Sequence, residues 1–446
     1  MSTNLKGTPG VGKETRTLIN GKKTSVRWKI SILMWAAIAI NYLDRANLSA
    51  ATPAMMKDLH INTAEMGVVM SAFFWSYMLF QIPSGWLADK VGQRISLGLA
   101  VGWWSVATAL TAAARGVGSL IGLRVLLGIG EAGAYPSNSG VTAKWFPDKE
   151  RGKVSAFFDS GSKVGTALAM PLIVWIISQF GWQASFIFSG LLGIIWMAIW
   201  IWYYRDPEKH RYVNQAELRY IRDGQAKKDG LDKGQPLKWY QLFRYRNIWA
   251  MCVGFFTLNY AIYFFITWFP TYLVEARGMD VMKMGFVAMI PPLAGMIAEW
   301  FGGWLMDYLY HKRGLSLTAS RKINLVGGMI LATSIALASL VTSAAMSVAL
   351  LAISYAGLAI AASAIWSLPG DVAPQNMTST VGGVQNCASN IGGILGPIIT
   401  GFVVASTGSF IPALLVSGAA TLIGAATYLF WLGKVKPIKS EKTAED

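Results

Sequence analysis

Two charged residues stand side by side at Asp44 and Arg45 inside the otherwise apolar stretch Asn41-Tyr42-Leu43-Asp44-Arg45-Ala46-Asn47-Leu48-Ser49. A second apolar stretch carries Arg124 and Glu131, seven residues apart. On a helix that spacing puts both on roughly one face, with Glu131 about 10 Å farther along the axis. Guanidiniums of this kind can grip a carboxylate through paired hydrogen bonds, and buried carboxyls can take up and release protons. Charge inside a membrane span costs about 3 kcal/mol or more per residue near the bilayer centre, so the four groups are expected to face one another in one cavity. Lys163 is a further cation in an apolar run, with Asp159 four residues before it. An i,i+4 ion pair and a third cation for a second substrate carboxylate or carbonyl are both open readings of it. Glu299 is another charge in an apolar segment, for which the sequence suggests no partner.

The chain that must position these groups has 446 residues, of which 54% are hydrophobic and 14% charged. An ordinary soluble domain carries roughly 25% charged residues, so a soluble protein is excluded, as are disordered and disulfide-scaffold classes. Cys252 and Cys387 lie in apolar stretches and are expected to pack rather than pair. The 39 Lys and Arg against 23 Asp and Glu give a net charge of +16. These cations fall between apolar blocks, where they report orientation in a membrane rather than nucleic-acid binding. About twelve apolar segments approach the ~20 residues that cross a ~30 Å hydrocarbon core. The expected organisation is a basic cytoplasmic tail (1–27), six helices (28–204), a polar cytoplasmic linker (205–246), six more helices (247–433) and a second cytoplasmic tail (434–446). The first of these helices is expected over 28–52 and the ninth over 321–342. Alternate loops are basic, which places both termini and the linker inside.

The two halves echo each other. Gly85-Trp-Leu-Ala-Asp89 recurs as Gly303-Trp-Leu-Met-Asp307, and Gly161-Ser-Lys-Val-Gly165 as Ala388-Ser-Asn-Ile-Gly392. Repeats of one orientation joined by a cytoplasmic linker imply bundles related by an axis along the membrane normal, with a site between them that faces either side in turn. The fold expected is therefore an all-α membrane protein of two pseudo-symmetric six-helix bundles. Asp89 at a helix end could accept hydrogen bonds from a neighbouring helix N-terminus and from Arg94, locking the inner side shut in one state, with Asp307 as its counterpart. Polar residues inside apolar segments, namely Ser363, Trp366, Ser367, Gln385, Asn386 and Asn390, suit a polyol chain or, equally, interhelical hydrogen bonding. Tyr260 and Tyr263 are expected to pack or gate, and the Trp and Tyr cluster at 196–204 to form an interfacial belt.

Gly85 to Arg94 resembles the signature loop of the major facilitator superfamily. Asn41 to Ser49, Arg124 to Pro136 and Trp145 to Arg151 resemble its anion:cation symporter branch, whose bacterial members include proton-coupled importers of D-galactonate, hexuronates and aldarates. The similarity extends over nearly all of 28–433. It implies proton-carrying roles for the carboxylates Asp44 and Glu131, and an anion site served by Arg45 and Arg124. It further implies a pocket lined by Tyr42 and Tyr77, with roles for Ser363, Trp366 and Asn386. Relatives tend to present an uncharged residue where Lys163 stands. The function expected is import of a small hydroxylated organic anion with protons by a monomer of the bacterial inner membrane, with transport of aromatic or amino-acid anions as the alternative. A membrane enzyme is disfavoured, because no metal-binding histidine cluster, nucleophile elbow or nucleotide loop appears. Paired acids in a two-fold repeat suit alternating access better than an anion channel. No metal or cofactor is expected beyond the proton as co-substrate.

Overall fold

A computed structural model describes residues 23–225, 239–373 and 377–438. Most of the basic tail, the middle of the linker and the end of the second tail lie outside the described residues. Lipid cannot satisfy backbone polar groups, so an apolar chain of this composition must close its hydrogen bonds within helices. Twelve long helical stretches result among the described residues. The first half comprises α1 (Val26–Leu59), α2 (Thr63–Val91), α3 (Gln93–Thr111), α4 (Val117–Trp145), α5 (Asp148–Phe180) and α6 (Trp182–Tyr203). The second comprises α7 (Arg246–Thr267), α8 (Val281–Lys312), α9 (Leu317–Ala332), α10 (Ala344–Val372), α11 (Thr378–Thr407) and α12 (Ile411–Trp431). Nine of these are long and apolar enough to cross a membrane by composition alone. Those below that mark are α1, α3 and α9, and α1 holds the charges of the site.

The first helix runs seven residues past the expected end at 52 and continues through Pro53 to Leu59. Proline removes one backbone donor, which a packed helix tolerates. The ninth stops short, at Ala332 with a further turn Ser334–Leu337. Arg277 then donates to the carbonyls of Ala338, Val341 and Thr342, taking over hydrogen bonds that a longer helix would have made internally. At Gly92 a φ of 83°, in the left-handed region that favours glycine, lets α2 turn directly into α3. The expected belt at 196–204 is partly interior: Trp196, Trp200 and Tyr204 are buried and stack in series, at 5.3 and 4.3 Å between centroids. Cys252 is buried but Cys387 is exposed.

Within each half the packing follows the repeat. Gly161 and Gly165 bring α5 against the α1 backbone at Trp35 and Ala39, and Gly392 brings α11 against α7 at Phe256 and Tyr260. Small residues permit such close approach where lipid supplies no hydrophobic drive between helices. A short helix in the linker, Gln215–Asp223, docks onto the first half. Its buried Glu217 accepts from the backbone N–H groups of Val26 and Arg27 and, at 3.0 Å, from the Arg27 guanidinium, which also meets Glu150 at 3.1 Å.

The halves meet at the cation-poor ends of their helices. Gly67 of α2 lies on Pro397 of α11, Gly401 on Thr63, and Gly285 of α8 on Val174 of α5. Ser49 of α1 donates to the Thr267 carbonyl at 2.8 Å across the halves, and within the second half Trp268 donates to the same Pro397 carbonyl on which Gly67 lies, at 3.1 Å. At the basic ends Trp86, Asp89 and Asp307 are exposed. Arg94 does not reach Asp89 here. It donates to the Ile201 carbonyl, at 2.6 Å from Nη2, so the expected lock is undone and the chain is open toward its basic face.

Because a side chain at Gly401 would meet the α2 backbone, Gly401→Val should hold the cation-poor ends apart. In a chain with Cys252 and Cys387 replaced by Ser, a Ser49→Cys probe should then react with an impermeant maleimide roughly tenfold faster, the shift given by about 1.4 kcal/mol of overpacking. Unchanged labelling would show that this contact does not close the face.

Candidate functional site

The charges expected to share one cavity are gathered at mid-depth but divided among two compartments and the interior of the first half. Arg45 of α1 donates from Nε to Glu131 Oε2 of α4 at 2.9 Å, and its Nη2 lies 2.9 Å from the same oxygen. Glu131 is wholly buried and Arg45 is 7% exposed. The Arg45 guanidinium lies over the rings of Phe73, Tyr42 and Tyr77 at 4.7, 4.8 and 5.1 Å, so aromatic faces supply the remaining attraction a desolvated cation needs. Arg124 lies over the same Phe73 ring at 5.4 Å. Asp44 is 1% exposed, within electrostatic reach of Glu131, Arg124 and Arg45. Both Asp44 carboxylate oxygens, Glu131 Oε1, Arg124 Nε and the Asn41 amide are buried without a hydrogen-bond partner among the described residues.

A cavity of about 350 Å³ lies between the halves and reaches from mid-depth toward the basic face. Of the residues expected in the site, Tyr42, Arg45, Tyr77, Lys163, Trp366, Asn386 and Asn390 line it. A much smaller void on the cation-poor side of Arg45 is lined by Arg45, Phe73, Phe74 and Arg124. Arg45 thus belongs to both compartments. Asp44 and Glu131 line neither and stand behind it in the first half. Trp366, at 58% exposure, forms part of the wall toward the mouth, edge-on to Phe255 at 5.3 Å. Asn386 lies opposite Gln81 of α2, its Nδ2 at 3.4 Å from Gln81 Oε1, so the two halves touch at this depth as well.

Two expected ligands are placed elsewhere. Ser363 turns toward Gly302 of α8 and donates to its own Ile360 carbonyl at 2.7 Å. Gln385 is buried and donates to the Ile365 carbonyl at 3.2 Å, joining α11 to α10. Gln385 thus makes the interhelical hydrogen bond that the sequence left open as the alternative, while the hydroxyl of Ser363 bonds back within its own helix. Tyr263, expected to pack or gate, lines the cavity and meets Phe74 edge-on at 4.4 Å.

Lys163 makes both of the contacts available to it. Its ammonium is 2.8 Å from Asp159 Oδ2 and 3.0 Å from Glu299 Oε2. Tyr135 donates to the other Asp159 oxygen at 2.9 Å. Glu299, to which the sequence assigned no partner, reaches across the cavity from the second half. The residues that sequence reasoning missed are Phe73, Gln81, Asn259 and Tyr355 on the cavity or void walls. Aromatic and amide residues inside apolar helices carry no signal of facing until the helix rotations are known.

Comparison with known proteins follows the same lines. The Major Facilitator Superfamily matches residues 34–397. The chain is similar to the D-galactonate transporter of Escherichia coli O6:H1, 38% identical over 428 residues, covering 94% of this chain and 99% of that one. It is 36% identical over 441 residues to the "Probable galactarate/D-glucarate transporter GudP" of Bacillus subtilis, covering 96% of each. Among solved structures, an inward-facing, unoccupied bacterial homolog of the human lysosomal transporter Spinster superposes with a TM-score of 0.76 at 18% identity, over 92% of this chain and 98% of that one, a likeness of fold. Twelve helices in two repeated halves, a charged cavity between them and these matches together place the chain in the Major Facilitator Superfamily, as an integral multi-pass membrane transporter.

Proposed function

We propose that this chain imports a sugar acid, a hexonate, hexuronate or aldarate, together with protons by alternating access. The observation that carries this reading is Arg45, which pairs with a fully buried Glu131 on one side and opens into a 350 Å³ cavity on the other. A guanidinium so placed can exchange its internal carboxylate for that of a substrate, because both are planar two-oxygen acceptors. A cavity of this size with tyrosine, tryptophan and asparagine walls suits a short polyol chain. The galactonate and galactarate/glucarate relatives support the substrate class.

Proton coupling rests on charge. When a substrate carboxylate takes Arg45, the negative charge of Glu131 is left in a water-poor interior, and a proton can neutralise it. Asp44, buried beside Arg124, offers a second place. Entry of a monoanion against an inside-negative potential is opposed by about 2.3 kcal/mol per 100 mV, and more than one proton reverses that sign. The basic loops support a bacterial inner-membrane location with both termini cytoplasmic, and one chain encloses the whole cavity, as a monomer requires.

Arg45→Ala should lower the uptake of galactonate or galactarate into proteoliposomes by at least about a hundredfold at unchanged fold, because a buried charge pair loses its substrate-facing member. Near-normal uptake would remove Arg45 from the anion site. Arg124, which lines the small void and not the cavity between the halves, should weaken coupling more than binding when changed to Ala; equal losses of both would place it in direct contact with substrate.

Glu131→Gln and Asp44→Asn keep shape but cannot exchange a proton. Each should abolish accumulation driven by an inward pH gradient, while counterflow of labelled substrate persists in Glu131→Gln. Uphill accumulation by both variants would show that protons travel by another route.

A further inference from the structure

The cluster of Lys163, Asp159 and Glu299 lies in the cavity wall away from the Arg45–Glu131 pair and carries one cation between two carboxylates. Its members are not equivalent. Asp159 shares the helix of Lys163 and accepts from Tyr135 as well, so it is held from two sides. Glu299 comes from α8, in the opposite half, and Lys163 is its one ion-pair partner among the described residues. Lys163 and Glu299 remain about a quarter exposed, with side-chain exposures of 24% and 26%. They can therefore be reached from the cavity.

We propose that this cluster is a second carboxylate site, in which the far carboxylate of an aldarate displaces Glu299 from Lys163 while Glu299 takes up a proton. This rests on the sugar-acid reading above and narrows it to dicarboxylates. If both acids stayed ionised, an arriving carboxylate would put three negative groups around one ammonium. A proton on Glu299 leaves the cluster with the charge it had when empty. That proton comes from the solution on the side where substrate enters, and on release of the substrate Glu299 returns it to the other side and pairs again with Lys163. Each far-end carboxylate thus brings one further proton.

The groups facing Glu299 allow this. From α5 they are Lys163 and Asp159, and from α10 Tyr355, which packs on Gly295 one turn away. Tyr42 and Arg45 of α1 lie on the same cavity. On α9, Arg321 is taken up by Asp371 at 2.7 Å and Lys322 by the Leu429 carbonyl at 2.9 Å, so neither is a cation in reserve for Glu299. On α8 itself, Asp307 stands exposed two turns toward the basic face.

Galactarate and galactonate differ only in a far carboxylate against a hydroxymethyl group, and from about pH 5.5 to about pH 8 their carboxyls stay ionised. Their affinities for the purified full chain are to be measured by titration over that range. For the unaltered protein the preference for galactarate should grow as pH falls, by up to about tenfold per pH unit, as linkage to one proton requires. Glu299→Gln should keep a strong galactarate preference that no longer varies with pH, and Asp159→Asn should retain the variation. Lys163→Gln should lose about tenfold or more of the preference at every pH. If that variant fails to fold, the double variant K163Q/E299Q, which leaves no extra acid unpaired, should show the same loss. A pH-independent preference in the unaltered protein, a pH dependence that survives Glu299→Gln or vanishes in Asp159→Asn, or a Lys163 variant with undiminished preference would overturn the second site. If both acids bind equally throughout, only this inference falls. If neither binds, the sugar-acid reading falls and takes this one with it.

Discussion

Removing a guanidinium from water demands that negative charge be brought to it, and the placement of Arg45 is the constraint around which the first half is arranged. Glu131 meets it at 2.9 Å from α4, which requires α1 and α4 to lie close at mid-depth. The rings of Phe73 and Tyr77 from α2 cover it, which fixes the rotation of α2. Asp44, the residue before Arg45, necessarily points to another side of α1, toward Arg124 and the interior. One adjacent pair in the sequence thus supplies both a cavity-facing cation and an interior-facing carboxylate. A buried ion pair of this kind adds little to stability by itself, since desolvation offsets most of its attraction. On the proposed reading its value lies in being exchangeable.

Exchange needs a cavity whose walls separate and rejoin, and the glycine contacts explain how they can. Gly67 and Gly401 close the cation-poor ends by backbone contact across the halves and Gly285 lies on the Val174 side chain, with the Ser49 hydroxyl bonded to the Thr267 carbonyl beside them. At the basic ends Asp89 is exposed, and Arg94 is engaged with α6 of its own half. Closure on that side therefore means forming new contacts rather than breaking strong ones. The two ends differ in kind, which is what two states of comparable free energy require.

Much of this arrangement is legible in the sequence because the cost of burying charge forces its partners to be near. Asp44, Arg45, Arg124 and Glu131 could be grouped on that ground alone, whereas the echo of Gly161–Gly165 at Ala388–Gly392 marked the repeat without saying which helices it brings together, α5 with α1 and α11 with α7. What was not legible depends on helix rotation across the interface. Ser363 and Gln385 are polar residues in apolar helices just as Asn386 is, yet the first two turn toward neighbouring helices and only the third lines the cavity. Periodicity cannot separate them, since a helix packed on several sides has no single polar face. Glu299 looked partnerless for the same reason: its partner lies in the other half, and no local spacing reports on it.

That pairing changes what Lys163 means. An isolated lysine near midplane would be an open anion site, always ready and costly to maintain. With Asp159 and Glu299 on it the lysine is satisfied, so an anion gains access only by displacing one of them. The same logic holds at Arg45, where the competitor is Glu131. On the coupling proposed above, the carboxylate on each cation is the one that takes the proton: an anion without a proton meets a site already filled, and at Arg45 a proton without an anion leaves a buried cation uncompensated, whereas Lys163 keeps Asp159. Coupling on this view needs no mechanical relay between distant sites. It follows from giving each cavity-facing cation an acid partner that a substrate carboxylate can displace.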